Sequence, residues 1–210
     1  MTDMDSGKRI VSYPTVRSEI RTYTIQNDEG HFEISNLFQN RLPSMVIVGL
    51  EASTAFNSTA TEYPFSFKTF NLKSIKQVVR GETYPDEALE LNHDDGSKDM
   101  RGYRQFVQAT GCLCKSKGNM VRVVDWRHGK NCNLFVFENA ANGCLNSPVL
   151  NPKLSGELWL VLEFGANPGV VVTAIVFGEF DIMERRKAFR FHTSSSLMVV
   201  GPSGCGKTVL

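Results

Sequence analysis

The sequence predicts an all-β fold, a two-sheet sandwich or jelly roll, and three observations carry that prediction. About seven or eight short segments rich in β-branched and aromatic residues follow one another, separated by turn signals. No strand–helix–strand series runs through them, which argues against a parallel sheet with crossover helices. The composition is that of a globular domain, with 41% apolar and 21% charged residues in a chain of 210. That is enough for one sizeable β domain, or one domain plus a fragment.

The elements follow in order. Val16 to Ile25 alternates β-branched with charged residues, as a half-buried strand does. His31 to Leu37 repeats the pattern, with Phe32, Ile34 and Leu37 on the inner side. Arg41-Leu-Pro43 signals a turn, and Met45 to Val48 is a continuous apolar run, the mark of a strand covered on both faces. Ala55 to Phe70 scatters Phe56, Tyr63, Phe65, Phe67 and Phe70 among polar residues, which suggests a long loop pinned onto the sheet by its own side chains. Leu72, Ile75, Val78 and Val79 fit a helix or a strand equally well. Glu87 to Asp99 is polar and acidic and reads as an exposed loop. Tyr103 to Thr110 suits a short helix closed by Gly111. Met120–Val124, Cys132–Phe137 and Leu158–Phe164 are further apolar segments, and residues 170–180 form the strongest strand candidate. The expectation is therefore a sandwich with one or two short helices in its loops.

Charge and targeting signals restrict function further. Lys and Arg total 23 against 22 for Asp and Glu, so no global charge draws the chain to nucleic acid or an acidic membrane. The N-terminal residues lack the apolar run of a signal peptide, and residues 170–177 are too few to span a bilayer. A cytoplasmic or nuclear setting follows as an expectation. The five cysteines (Cys112, Cys114, Cys132, Cys144, Cys205) are odd in number and lack paired metal spacings, so free thiols are expected, with no metal and no cofactor.

Several ordered segments carry a resemblance. Residues 13–25 are similar to the opening of the second jelly roll in major capsid proteins of polinton and adintovirus-type elements. Asn36-Leu-Phe-Gln-Asn-Arg-Leu-Pro43 with Val46 to Leu50 resembles that family's N-L-F-x-G-x-L-P segment and the strand after it. Ala55-Phe-Asn57, Pro64-Phe-Ser-Phe67 and Phe70-Asn-Leu72 resemble its A-F-N-G, N-P-F-N-F and F-N-L stretch. Tyr103-Arg-Gln-Phe106 with Thr110-Gly111, and Phe177-Gly-Glu-Phe-Asp181, complete the series in the same order. Two departures stand out: Glu138 to Asn142 replaces a D-L-T-P-D turn, and Asn40 takes a glycine position while still tolerating a left-handed backbone. The resemblance covers the second of two jelly rolls only, which fits a degraded or domesticated remnant.

What the resemblance implies is a jelly-roll β-sandwich over residues 13–190, preceded by a segment 1–12 and followed by a tail 191–210. It also implies a structural capsid-like protein of a virion shell, located in the virion and the host cytoplasm or nucleus. Its partners would be itself or related capsid subunits, with a trimer expected and no membrane; separately, the charged run Glu184-Arg-Arg-Lys187 reads as a strand end or linker whose basic residues could touch nucleic acid. It would not be an enzyme.

The sharpest short motif lies elsewhere. Gly201-Pro-Ser-Gly204-Cys-Gly206-Lys207-Thr208 matches G-x-x-x-x-G-K-[ST], in which backbone N–H groups cradle phosphates. Gly201, Gly204 and Gly206 would shape the cradle, Lys207 would reach the β- and γ-phosphates, and Thr208 would sit on Mg²⁺. Only Val209 and Leu210 follow, so the motif reads as the truncated beginning of a P-loop ATPase. An NTP-binding fragment is thus the alternative function, and a β-sandwich ligand-binding module a further one. Asp125, His128 and Cys132 invite a catalytic triad, but Trp126 to Lys130 reads as an exposed turn and no nucleophile-elbow pattern is present. Glu179 and Asp181 face one side of a strand and suit a solvated or interface-facing edge better than acid–base work. No catalytic residue is assigned.

Overall fold

The fold is described from a computed structural model, which covers residues 10–59, 62–92, 98–112, 118–139, 154–187, 198–199 and 207–208. Two compact units are present, Val16–Ile182 and a smaller one made of Met1–Thr15 with Met183–Leu210. The larger unit is an all-β sandwich of two antiparallel sheets. Its strands are β1 (Ile10–Ile25, in this unit from Val16), β2 (His31–Ile34), β3 (Arg41–Leu42), β4 (Met45–Ala52), β5 (Leu72–Val79), β6 (Glu82–Glu90), β7 (Leu134–Glu138), β8 (Leu154–Ser155), β9 (Leu158–Phe164) and β10 (Val172–Lys187, in this unit to Ile182). In the smaller unit, β11 (Met198–Val199) pairs antiparallel with β12 (Lys207–Thr208).

One sheet has the order β1-β10-β4-β7 and the other β2-β9-β5-β6, with β3 and β8 as a separate pair. The pairings are nested: β5 with β6, β4 with β7, β2 with β9, β1 with β10. A single long antiparallel ribbon folded around itself gives this order, and it is the eight-stranded jelly roll. Alternation within the strands produces the shared interior. Val46, Val48 and Leu50 of β4, Val172, Ala174 and Val176 of β10, and Phe135 and Phe137 of β7 are buried opposite Ile75, Leu158, Leu160 and Leu162.

The end that joins β2 to β4 is a tight corner. The Asn36 Oδ1 accepts the Asn40 N–H at 2.8 Å, while Asn36, Gln39 and Asn40 all take positive φ (49°, 54° and 60°). Asparagine at position 40 therefore does what the glycine of the resembling motif would do. The corner turns Leu37 and Phe38 inward. Phe38 stacks edge-on against Phe180 (ring centroids 5.4 Å apart), in space left by Gly178, where a Cβ would lie 2.5 Å from the Phe38 ring.

Three short helices lie in the loops, α1 (Ser53–Phe56), α2 (Asp99–Ala109) and α3 (Val123–Arg127), against an expectation of one or two. Helix α2 takes the place of the short helix expected over Tyr103 to Thr110, but it starts earlier, at Asp99, and ends at Ala109 before Gly111. Gly111 has φ +70°, its N–H donates to the Gln108 carbonyl at 2.9 Å, and the Cys112 N–H donates to the Val107 carbonyl at 3.2 Å. This is the paired hydrogen-bond closure that a left-handed residue after the helix allows. Helix α2 packs against β7 and β6, the edge strands of the two sheets on one flank, and so closes that open side of the sandwich.

Three expectations are corrected. Met120 to Val124 is not a strand; the apolar residues lead into α3, which turns Trp126 fully inward. Trp126 is therefore no part of an exposed turn: its ring meets Phe135 and Tyr103 at 5.5 and 6.0 Å, and its Nε1–H donates to the Leu134 carbonyl at 3.0 Å. Glu87 to Asp99 is not an exposed loop throughout, because β6 runs to Glu90 and buries Leu89, and Leu91 and Asp99 are buried beyond it. Asp99 Oδ1 accepts the Asn92 N–H at 2.8 Å, and Arg127 Nε lies 3.3 Å from Asp99 Oδ2. The undecided stretch from Leu72 is strand β5, paired on both sides.

Trp126 anchors the helical flank, so Trp126→Ala is expected to cost about 3–5 kcal/mol in denaturant unfolding. Val124→Ala, at an exposed position on the same helix, is expected to change stability by about 0.5 kcal/mol or less.

Candidate interaction surface

The loops β1–β2, β4–β5, β6–β7 and β9–β10 gather at one end of the sandwich. The Gly165 N–H donates to the Asn71 carbonyl at 2.8 Å, the Ser53 N–H to Val171 at 2.9 Å, the Phe164 N–H to Gly30 at 2.9 Å, and the Asn133 N–H to Phe67 at 3.3 Å. The β4–β5 loop is the most exposed in character, and it is held by the outward face of β4. Gly49 leaves a seat for the Phe67 ring, since a Cβ there would lie 2.6 Å from Phe67 Cδ1. Two positions on, the buried Glu51 accepts the Phe65 N–H at 2.9 Å, and the Lys68 N–H donates to Leu50 at 3.0 Å. Thr54 donates to the Glu62 carboxylate, and Ser66 to Asn131 at 2.5 Å. The expected loop pinned by its own side chains is present, but Phe67 does the pinning. Phe56, Tyr63 and Phe65 stay 42%, 69% and 66% exposed. Val170 and Val171, beside α1 through the Ser53 hydrogen bond, are partly exposed as well.

At the other end of the sandwich Glu19 of β1 gathers cations. Arg41 binds it through both oxygens at 2.6 and 2.8 Å, with Arg17 at 3.3 Å and Arg21 at 3.6 Å. The Arg41 hydrogen bonds, and then the surrounding positive charge, hold the Glu19 carboxyl below its usual range despite an opposing effect of burial. The Arg41 guanidinium also lies over the Phe180 ring at 5.2 Å.

Residues singled out in the sequence are placed as follows. Lys207 and Thr208 lie in β12, paired antiparallel with β11, and Gly201, Gly204 and Gly206 fall outside the described residues. Asp125 is engaged by Arg122 at 2.6 and 3.0 Å and by Lys130 at 3.5 Å, and these cations hold its carboxyl low. His128 is exposed, and burial with the Asp125 charge pushes the Cys132 thiol up, away from the thiolate a nucleophile needs. Asp125 is thus committed to structure and not to orienting an imidazole. Cys112 and Cys132 are free thiols, Cys114, Cys144 and Cys205 fall outside the described residues, and no cluster of three or more metal-ligating side chains occurs among the described residues. Nor is any described helix long and apolar enough to cross a membrane.

Glu179 and Asp181 share the outward side of β10. There the cross-strand row is Glu179, Met45, Glu138, and Gln108 Nε2 lies 3.5 Å from a Glu138 oxygen. Burial, followed by the Asp181 charge, pushes the Glu179 carboxyl above its usual range. A shallow cleft of 580 Å³ opens near β6, lined by Leu42, Val79, Arg80, Thr83, Tyr84 and Asn139 among others. Sequence patterns missed the seat at Gly49 and the Glu19 cluster, because both depend on residues far apart in the chain.

No family model matches the chain. Over 105 residues it is 27% identical to the uncharacterized protein F54H12.2 of Caenorhabditis elegans, covering 49% of this chain. The matched region spans about a quarter of that protein's length (24%).

Because the fold favours protonated Glu179, the stability gained from protonation is present below the unfolded carboxyl range and is lost as pH rises through the raised folded value. Glu179→Gln is therefore expected to raise Tm at pH 7 by one or two degrees, a gain that shrinks toward zero below about pH 4. Calorimetry of both proteins across that range is the check.

Proposed function

We propose that the chain is a structural, capsid-like shell subunit, a virion component or a domesticated remnant of one, that works by associating with itself or related subunits. The supporting observation is where the ordered motifs fall in the jelly roll. Asn36 to Pro43 builds the corner that inserts Phe38, and Phe67 of the Pro64–Phe67 segment seats on Gly49. Tyr103 to Phe106 belongs to the helix that closes the flank, Thr110-Gly111 caps it, and Phe177 to Asp181 lies in a strand paired on both sides. Motif residues with shape-making roles suit a protein whose work is its shape.

The loop end supplies a surface of the kind such a subunit needs. Tyr63 and Phe65 are large, exposed and carried on a loop tied down at both sides, so burying them against a neighbour costs little ordering entropy. Aromatic residues of this kind dominate the energetics of many interfaces.

Light scattering of the full chain over a concentration series is expected to show trimers or larger species. The double substitution Tyr63→Ser with Phe65→Ser is expected to weaken association at least about tenfold, given roughly 1–2 kcal/mol per buried ring edge, while leaving Tm unchanged. A strictly monomeric protein at high concentration would remove the proposal's support.

A further inference from the structure

Strand β1 is the edge of its sheet: among the described strands only β10 pairs with it. It is long, and from Val16 to Ile25 it alternates cleanly. Ser18, Ile20, Thr22 and Thr24 are exposed on the outer side, while Glu19, Arg21, Tyr23 and Ile25 face inward. Val16 and Ile20 are 59% and 64% exposed, an unusual load of apolar surface for a free edge. Natural edges are blunted by charge, proline or bulges. Here the proline, Pro14, stands before the alternating stretch, and the charges are of both signs.

We propose that β1 pairs antiparallel with β1 of a second copy about a two-fold axis at Ile20, joining the two four-stranded sheets into one continuous sheet. This rests on the self-association reading above and deepens it by naming a second, two-fold contact beside the loop end. Charge complementarity selects the register. With Ile20 opposite Ile20, Glu19 faces Arg21 of the other copy and Arg21 faces Glu19, Ser18 faces Thr22, Arg17 faces Tyr23, and Val16 faces Thr24. Opposite charges, hydroxyl pairs and apolar pairs each stabilise directly opposed positions.

Neighbouring registers fail on the same criteria. Centring on Glu19 opposes Glu19 to itself and Arg17 to Arg21, and centring on Arg21 opposes that guanidinium to itself. Centring on Ser18 brings Pro14 into the ladder opposite Thr22, where it has no N–H to donate. A register between residues sets inward side chains against outward ones. Arg21 adds an independent sign. Its Nε is buried and makes no hydrogen bond within the chain, and a carboxylate across the two-fold is a suitable acceptor. The inward charges thus reject strands of other sequence while accepting the same strand reversed.

The test uses the full chain and two substitutions at the exposed position 20. Wild type is expected to reach at least twice the 23.4 kDa chain mass in light scattering. Ile20→Lys sets two ammonium groups opposite each other without touching the core, and is expected to weaken the two-fold contact at least tenfold with unchanged circular dichroism. Ile20→Cys places two thiols across the axis at a separation a disulfide can span. It is expected to give a covalent dimer under mild oxidation that wild type, with its native cysteines, does not give. In the same assay, Ser18→Cys and Thr22→Cys should cross-link when mixed and not when alone. Oligomers that ignore Ile20→Lys, together with no position-20 cross-link, overturn the edge pairing and leave self-association standing. A wild-type chain that stays monomeric at all concentrations overturns both.

Discussion

Strand β4 has to satisfy three surfaces at once, and the rest of the domain is arranged around how it does so. Along its edges it is hydrogen-bonded to β10 and β7, which fixes the register of the first sheet. Inward it presents Val46, Val48 and Leu50 to the second sheet. Outward it presents Gly49 and Glu51, the first as an empty seat and the second as a buried acceptor. A larger residue at 49 would lift Phe67, and with it the backbone that carries Tyr63 and Phe65. The same strand therefore holds the core together and aims the loop, so the exposed aromatics inherit the rigidity of the sheet.

A jelly roll has two open flanks, and the chain treats them differently. The flank between β6 and β7 is closed by α2 and α3, with Trp126 as the central plug. At the other side of the first sheet, β1 pairs only with β10 among the described strands, and its inward charges gather around Glu19 and Arg41 instead of an apolar plug. Closing one flank inside the chain and leaving a patterned edge at the other concentrates what is available for association on the loop end and on β1.

How much of this the residues disclosed follows from the range of the interactions involved. The alternation of residues 16–25 and the continuous apolar run from Met45 to Val48 were legible because each pattern belongs to a few consecutive residues, although the strand that run begins continues to Ala52. The helix closed by Gly111 was legible for the same reason, its cap being local. Trp126 was misread because a tryptophan among Asp, Arg, His and Gly looks exposed until Phe135 and Tyr103 arrive from elsewhere. Leu89 and Leu91 were lost in an acidic stretch for a similar reason: both join the common core, Leu91 beside Gly102 of α2. The Glu19 cluster was invisible because Arg41 lies 22 residues away and reaches it only after the corner has turned.

The same distinction explains why the sharpest motif carries the least weight. A phosphate loop is recognisable from eight consecutive residues, but its chemistry depends on a helix whose N-terminus completes the cradle and on a carboxylate brought from another strand. The described part of that segment is a short antiparallel pair, with Lys207 and Thr208 in the second strand. The short ordered segments around Asn40, Phe67 and Gly111 behave in the opposite way. Each is individually weak, yet Asn40, Phe67 and Gly111 each take up a backbone turn or packing role on which a separate part of the jelly roll depends. Residues that fit their surroundings one by one carry the fold, whereas a phosphate loop carries chemistry only together with partners from elsewhere in a chain.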